Sequence, residues 1–263
     1  MPDAVHKNIG FYLLSARTMG QRTAELHVKL ASVRNDPVFA PESFSDLYRR
    51  SLYQSMRNLA NEVFRTLRRQ RRTLSEEIRD EADRVISLQN EALKRFQSVL
   101  NMRITAMRTR VHGDYHLGQI LYAGGDFVII DFEGEPARSM AERRLKRSPL
   151  RDVAGMIRSF HYATNAALLG QASTIIRPED LPRLEHFASY WYRWVSAAFL
   201  SSYLEVASES VFLPRSQEEL KALMDVYLLE KAIYEVNYEL NNRPGWLRVP
   251  LQGILELLET EQS

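Results

Sequence analysis

A mainly α-helical fold with one small embedded β-hairpin is what the sequence predicts, and three observations carry that reading. Apolar residues recur at helical steps, mostly of three and four, through most of the chain. That spacing stops once, between Met107 and Phe132, where short β-type runs take over. Gly124-Gly125 separates two of those runs, and such a pair supplies the positive φ angles of a two-residue hairpin turn.

In chain order, residues 15–31 read as a helix with Met19, Ala24, Leu26 and Leu30 as its apolar members. Asn35-Asp36-Pro37 and Pro41 break it. Ser43 with Asp46 makes an N-cap pair. From there Phe44, Leu47, Leu52, Met56, Leu59, Val63 and Leu67 trace a long amphipathic helix. Ser75 caps a second, with Ile78, Ala82, Val85, Leu93, Phe96 and Leu100 on its face; the two are expected to form an antiparallel hairpin joined around 69–73. The β-type runs are 110–112, 119–122 and 127–130. Helices resume at 150–169, 182–207 and 216–241, with a short one near 251–259. The expected division is a helical subdomain over 1–105, a loop and hairpin over 106–135, and a second helical subdomain over 136–263.

Composition narrows the function classes. The 263 residues are 45% hydrophobic and 26% charged, enough for a sizeable core. A net charge of only +2 argues against a nucleic-acid partner, because phosphate-backbone binders carry a concentrated basic excess. With no cysteine, disulfides and cysteine-ligated metals are excluded. The apolar stretch at 11–14 is too short for a signal peptide, and no apolar run approaches the ~20 residues that span a bilayer. A cytoplasmic location with no membrane partner is the expectation. Two basic clusters stand out. Arg65, Arg68, Arg69, Arg71 and Arg72 read as a solvated helix end. Arg138, Arg143, Arg144, Lys146 and Arg147 follow the chemical centre directly, and both a solvated and a phosphate- or substrate-facing role stay open for them.

That centre is His112-Gly113-Asp114-Tyr115-His116-Leu117-Gly118-Gln119, followed by Asp131-Phe132-Glu133-Gly134-Glu135. With Gly124-Gly125 as the turn, Leu121 pairs with Val128, and Gln119 and Asp131 fall side by side at the open end of the hairpin. Asp114 lies in the loop entering that end. Phosphoryl transfer needs such a set: a carboxylate to orient the acceptor hydroxyl and take its proton, and separate oxygen donors for Mg²⁺. Asp114 suits the first role, Gln119 and Asp131 the second, and Glu133 is a candidate second ligand or water-mediated contact. Taken without further information, these residues leave a phosphotransfer site and an ordinary turn equally open.

The string His112-Gly113-Asp114 with Gln119, then Ile129-Ile130-Asp131-Phe132, resembles the catalytic loop and metal-binding strand of the aminoglycoside-phosphotransferase and protein-kinase-like superfamily, with Gln119 where Asn is usual. The longer pattern adds Glu133-Gly134-Glu135-Pro136, Ser148-Pro149-Leu150-Arg151-Asp152 and Glu230-Lys231-Ala232, and is similar to bacterial maltokinases, alone or fused to trehalose synthase. That resemblance implies the helical C-terminal lobe of a kinase-like fold, with its N-terminal β lobe absent. It implies ATP and Mg²⁺ as cofactors, maltose as acceptor, and the missing lobe or a trehalose synthase domain as partners. His116, Arg144, Arg151, Asp152, Lys231, Tyr234 and Glu235 are its sugar-pocket candidates.

Tyr227, Lys231, Tyr234 and Tyr238 share a helical face by spacing, which suits a sugar-binding wall but equally suits core tyrosines beside a Lys231–Glu235 surface pair. No Gly-rich loop or strand lysine precedes Gly113, so the isolated chain is expected to fold without phosphorylating maltose. The alternatives are another small-molecule kinase of the aminoglycoside-phosphotransferase type, or a non-catalytic carbohydrate-binding module of a trehalose synthase fusion.

Overall fold

The computed structural model describes residues 3–136, 138–169 and 177–259. Ten helices are named: α1 (Asp3–Ile9), α2 (Tyr12–Ser32), α3 (Asp46–Gln70), α4 (Glu76–Ser87), α5 (Gln89–Asn101), α6 (Met140–Arg143), α7 (Leu150–Leu169), α8 (Leu181–Ala207), α9 (Gln217–Asn242) and α10 (Arg248–Glu259). Two-residue strands β1 (Glu42–Ser43) and β2 (Met107–Arg108) accompany a hairpin of β3 (Ile120–Ala123) and β4 (Asp126–Ile129). No large β-sheet occurs among the described residues. The fold is mainly α-helical with a small β-hairpin, as expected.

The chain forms two compact units that the backbone visits alternately. The first holds the residues through Glu42 and those from Ala106 to Leu213; the second holds Ser43–Thr105 and Pro214–Ser263. The second unit is all helical. α3 packs on α5 and α9, and α10 on α9 and α4. Ser45, not Ser43, caps α3 by accepting from the Tyr48 N–H at 3.2 Å. The second expected helix is two, α4 and α5, which meet at Leu88. Glu219 ties this unit's crossing strand down: its carboxylate accepts from the backbone N–H and the hydroxyl of Thr105, at 2.6 and 2.7 Å.

The first unit is built on α2 against α8. A Cβ placed on Gly20 would lie 2.2 Å from the carbonyl oxygen of Phe199, so only glycine permits this approach. The side of α2 that faces inward carries Met19, Gly20, Thr23, Ala24 and His27, while Leu26 and Leu30 are only half-buried. The apolar stripe expected from leucine spacing is thus rotated toward a face that includes two polar side chains. At the hairpin turn, Gly124 and Gly125 take φ +60° and +98°, the conformation that glycine adopts at no steric cost. Arg22 of α2 grips Asp126 at the hairpin's end with two bonds of 2.8 and 3.0 Å. That pair holds the Asp126 carboxyl below its ordinary value, the hydrogen bond from Arg22 being the largest cause.

Candidate active site

The β3–β4 register pairs Ile120 with Ile129, Leu121 with Val128 and Ala123 with Asp126, matching the alternation of the sequence. The ladder stops at Ile120, because 117–119 tighten into a 3₁₀ turn. One further bond, from the Ile130 N–H to the Gln119 carbonyl at 3.0 Å, carries the pairing to the mouth of the hairpin. There Gln119 Nε2 donates to Asp131 Oδ2 at 3.0 Å. Asp131 has φ +63° and is the one non-glycine residue in this conformation among those described, so the strand ends in a left-handed turn that swings the carboxylate outward.

The loop bearing Asp114 hangs from a buried carboxylate. Asp152, on the first turn of α7, is 3% exposed. Its Oδ2 accepts from the His112 N–H at 2.7 Å and its Oδ1 from the Gly113 N–H at 3.0 Å. Burial pushes the Asp152 carboxyl upward, but the hydrogen bond from His27 and that from the Gly113 N–H hold it below its ordinary value. His112 locks the other side: Nε2–H donates to the Ile130 carbonyl at 2.8 Å, which leaves Nδ1 to accept from the Asp114 N–H at 3.4 Å. The Tyr115 hydroxyl bonds Thr23 of α2 at 2.7 Å, and Ser159 Oγ accepts from the Leu117 N–H at 3.0 Å. Gly113 and Gly134 lie close, since a Cβ on Gly113 would sit 3.6 Å from the Gly134 Cα. The strand-to-loop turn after Asp131 therefore lies against the loop before Asp114.

The remaining candidates separate. Asp152, expected in the sugar pocket, is instead a buried clamp with both oxygens committed to the loop. His116 caps the 3₁₀ turn, its Nδ1 accepting from the Gly118 N–H at 3.0 Å. Arg144 is exposed and follows Arg143, whose guanidinium donates to the carbonyls of Arg138 and Pro136 at 2.9 and 2.8 Å. Arg151 lies half-buried beside Asp152 on α7, and Glu133 is exposed beyond Asp131. Lys231, Tyr234 and Glu235 belong to α9 of the second unit. The Lys231 ammonium rests over the Tyr234 ring at 5.1 Å. Of the expected aromatic wall, Tyr227 is a core residue at 1% exposure whereas Tyr238 is 44% exposed. Spacing did not single out His27, Thr23, Ser159 or Tyr203, all of which support the loop. A histidine on an otherwise buried helical face was the available signal for His27.

Gln119 and Asp131 fit a magnesium ion. They offer hard oxygens and stand within hydrogen-bond distance of one another. Among the described residues no group of three His, Asp or Glu side chains could hold a metal alone. A two-ligand site completed by water and phosphate oxygens is how Mg²⁺ is commonly held.

Comparison with known proteins overturns the maltokinase resemblance. The profile of the phosphotransferase enzyme family (APH) matches residues 13–134, which end just beyond the Asp131 turn. A glucosamine kinase of Mycolicibacterium smegmatis (strain ATCC 700084 / mc(2)155) is 30% identical over 157 residues, and one of Streptacidiphilus jiangxiensis 27% over 155. These alignments take in 58% and 56% of this chain but only 35% and 31% of the relatives, so the chain spans about a third of their length. Among solved structures, a glucosamine kinase in complex with glucosamine, ADP and inorganic phosphate superposes with a TM-score of 0.76 at 20% identity, covering 99% of this chain and 61% of that one. Crystal form A of a glucosamine kinase gives 0.75 at 21% identity over 95% and 55%. At such identities the likeness is one of fold.

The chain is therefore similar to small-molecule kinases, and among these to glucosamine kinases. The resemblance to maltokinases is overturned, and maltose and a trehalose synthase partner fall with it. The reason is physical: in phosphotransferases, loop and hairpin motifs of this kind serve the phosphates and the metal, which many acceptors have in common, so a resemblance carried by them does not tell one acceptor from another. No described helix is long and apolar enough to cross a membrane.

Proposed function

We propose that the chain is the transfer-and-acceptor part of an ATP-dependent small-molecule kinase whose acceptor is an amino sugar of the glucosamine type. The observation that supports it most is the joining of the Asp114 loop to the Gln119–Asp131 pair by the His112–Ile130 bond and the Gly113–Gly134 contact. Asp114 orients the acceptor hydroxyl and takes its proton as the oxygen attacks the terminal phosphorus. Asp131 and the side-chain oxygen of Gln119 would hold Mg²⁺, which would supply neutralisation of charge on the phosphates. Leu121 and Val128, a cross-strand pair 52% and 50% exposed, give an apolar platform for the nucleotide base. His116, Arg144, Arg151, Lys231, Tyr234 and Glu235 stay as acceptor-side candidates; Asp152 does not, because its oxygens are occupied. The Arg-rich run after Gly134 disfavours a polycationic aminoglycoside as acceptor.

The test is a coupled ADP-release assay on the protein that carries this chain, offering glucosamine, glucose, choline and an aminoglycoside with ATP and Mg²⁺. Preference for glucosamine is expected. Preference for a non-sugar acceptor would overturn the acceptor, and no ADP release with any acceptor would overturn the kinase reading.

A further inference from the structure

Behind the Asp114 loop lies a fully buried chain of polar groups that the transfer chemistry does not use. His27 of α2 is 0% exposed and stands between Asp152 of α7 and Tyr203 of α8. Its Nε2 is 3.0 Å from Asp152 Oδ2, and its Nδ1 is 2.9 Å from the Tyr203 hydroxyl. Phe212 and Tyr203 meet the imidazole edge-on, at centroid distances of 6.1 and 5.7 Å. We propose that Tyr203 is a positioning residue that fixes the tautomer of His27 and, through it, the carboxylate from which the Asp114 loop hangs.

Proton accounting at each atom leads there. Asp152 accepts from two backbone amides, and hydrogen bonds of that kind favour the ionised carboxylate. An ionised Oδ2 facing His27 at 3.0 Å needs a proton on Nε2, since a bare ring nitrogen would set lone pair against lone pair. Nδ1 is then either a bare acceptor for the Tyr203 O–H, or a second N–H donating to the Tyr203 oxygen. In the second case the hydroxyl proton needs another acceptor, and none lies within hydrogen-bond distance among the described residues. That case also buries a donor without a partner, and places an imidazolium between two aromatic rings. The first case satisfies every group: Tyr203 donates to Nδ1, Nε2–H donates to Asp152, and Asp152 accepts from the loop. Burial, then Asp152 and Tyr115, push the Tyr203 hydroxyl well above its ordinary value, so it stays a donor throughout the neutral range. The titratable groups around His27 are thus Asp152 and Tyr203, with Tyr115 engaged by the neighbouring Thr23. Asp152 and Tyr203 both lie outside the residues matched by the family profile.

Without the Tyr203 hydroxyl, the buried Nδ1 loses its hydrogen-bond donor, the His27 ring is no longer held from that side, and the Asp152 grip on His112 and Gly113 loosens. The consequence for turnover rests on Asp114 being the reacting carboxylate; the tautomer does not.

The experiment is imidazole nitrogen NMR on the 263-residue chain, ¹⁵N-labelled at histidine, with His27 assigned by the loss of its signals in His27→Gln. Amide hydrogen exchange at His112 and Gly113 is measured beside it in the unaltered chain and in Tyr203→Phe. The account expects the Nε2–H tautomer of His27, with Nδ1 hydrogen-bonded. In Tyr203→Phe the Nδ1 resonance shifts, and the two loop amides exchange about tenfold faster while the α8 core amides do not change. An Nδ1–H tautomer or an imidazolium in the unaltered chain overturns the proposal even if Tyr203→Phe fails to fold. So does unchanged loop exchange in a folded Tyr203→Phe. If the tautomer is found but the parent protein transfers no phosphate, the kinase reading fails and the relay stands.

Discussion

The Asp114 loop and the Lys231 face of α9 are held in place by different physics. The loop is fixed by partners far away in sequence: Asp152 grips its two leading amides, His112 bonds the carbonyl of Ile130, and Ser159 and Thr23 take up Leu117 and Tyr115. Lys231 sits on a helix face with its ammonium over the ring of Tyr234, a contact between residues three apart. A group that must meet a reacting atom within tenths of an ångström gains from the first arrangement, because no reorganisation is then needed at the moment of transfer. A group that only has to recognise an acceptor can use the second, since a flexible ammonium over a ring adjusts to its ligand. The account therefore expects alterations around the loop to strike turnover and stability, and alterations on α9 to strike affinity.

The largest effect is expected at the hairpin mouth. In the protein that carries this chain, Asp131→Ala should abolish Mg²⁺-dependent nucleotide binding in a calorimetric titration, whereas Gln119→Asn, which keeps an amide oxygen, should retain part of it. Unchanged binding in Asp131→Ala would place the metal elsewhere. Next comes Gly155→Ala. Its new Cβ would lie 2.6 Å from the Tyr115 carbonyl oxygen, one residue beyond Asp114, so the loop must be displaced. Denaturant titration should show a loss of about 1–3 kcal/mol.

Acid should act on the same anchor. The Asp152 carboxyl titrates below its ordinary value in the folded chain, so its contribution is complete above the unfolded value of about 4 and is lost as pH falls through the lower folded value. Below about pH 4 unfolding should therefore become easier, and Asp152→Asn should flatten that part of the stability–pH curve. The smallest effect is expected on α9. Lys231→Met should change stability by less than about 0.5 kcal/mol and, if Lys231 meets the acceptor, raise KM with kcat nearly unchanged. A large fall in kcat would erase the distinction between the two regions.

What could be read from the sequence follows the same divide. Gln119, Asp131 and the Gly124-Gly125 turn were legible because a hairpin is local: with two-residue alternation and a two-residue turn, counting back from the tip fixes the register. Asp114 was legible as the neighbour of that register. The role of Asp152 was not, because its partners lie 39 and 40 residues away and nothing in the spacing of α7 records that its carboxylate turns inward. His27 and Tyr203 are separated by 176 residues and meet only because Gly20 lets α2 approach α8 closely. On α9, helical spacing put Tyr227 and Tyr238 on one face but could not say which end of that face is covered; Tyr227 is core and Tyr238 is not. The acceptor was the least legible feature of all, since the motifs that stand out are of a kind that phosphotransferases of many acceptors share.

The central claim is that Asp114, held by this clamp, is the group that takes the acceptor's proton. Its most direct test is steady-state turnover of the protein that carries this chain, with glucosamine, ATP and Mg²⁺, beside Asp114→Asn. The account predicts a fall in kcat of about 10²–10⁴ with glucosamine and nucleotide affinities retained. Turnover within a few-fold of the unaltered protein would contradict it.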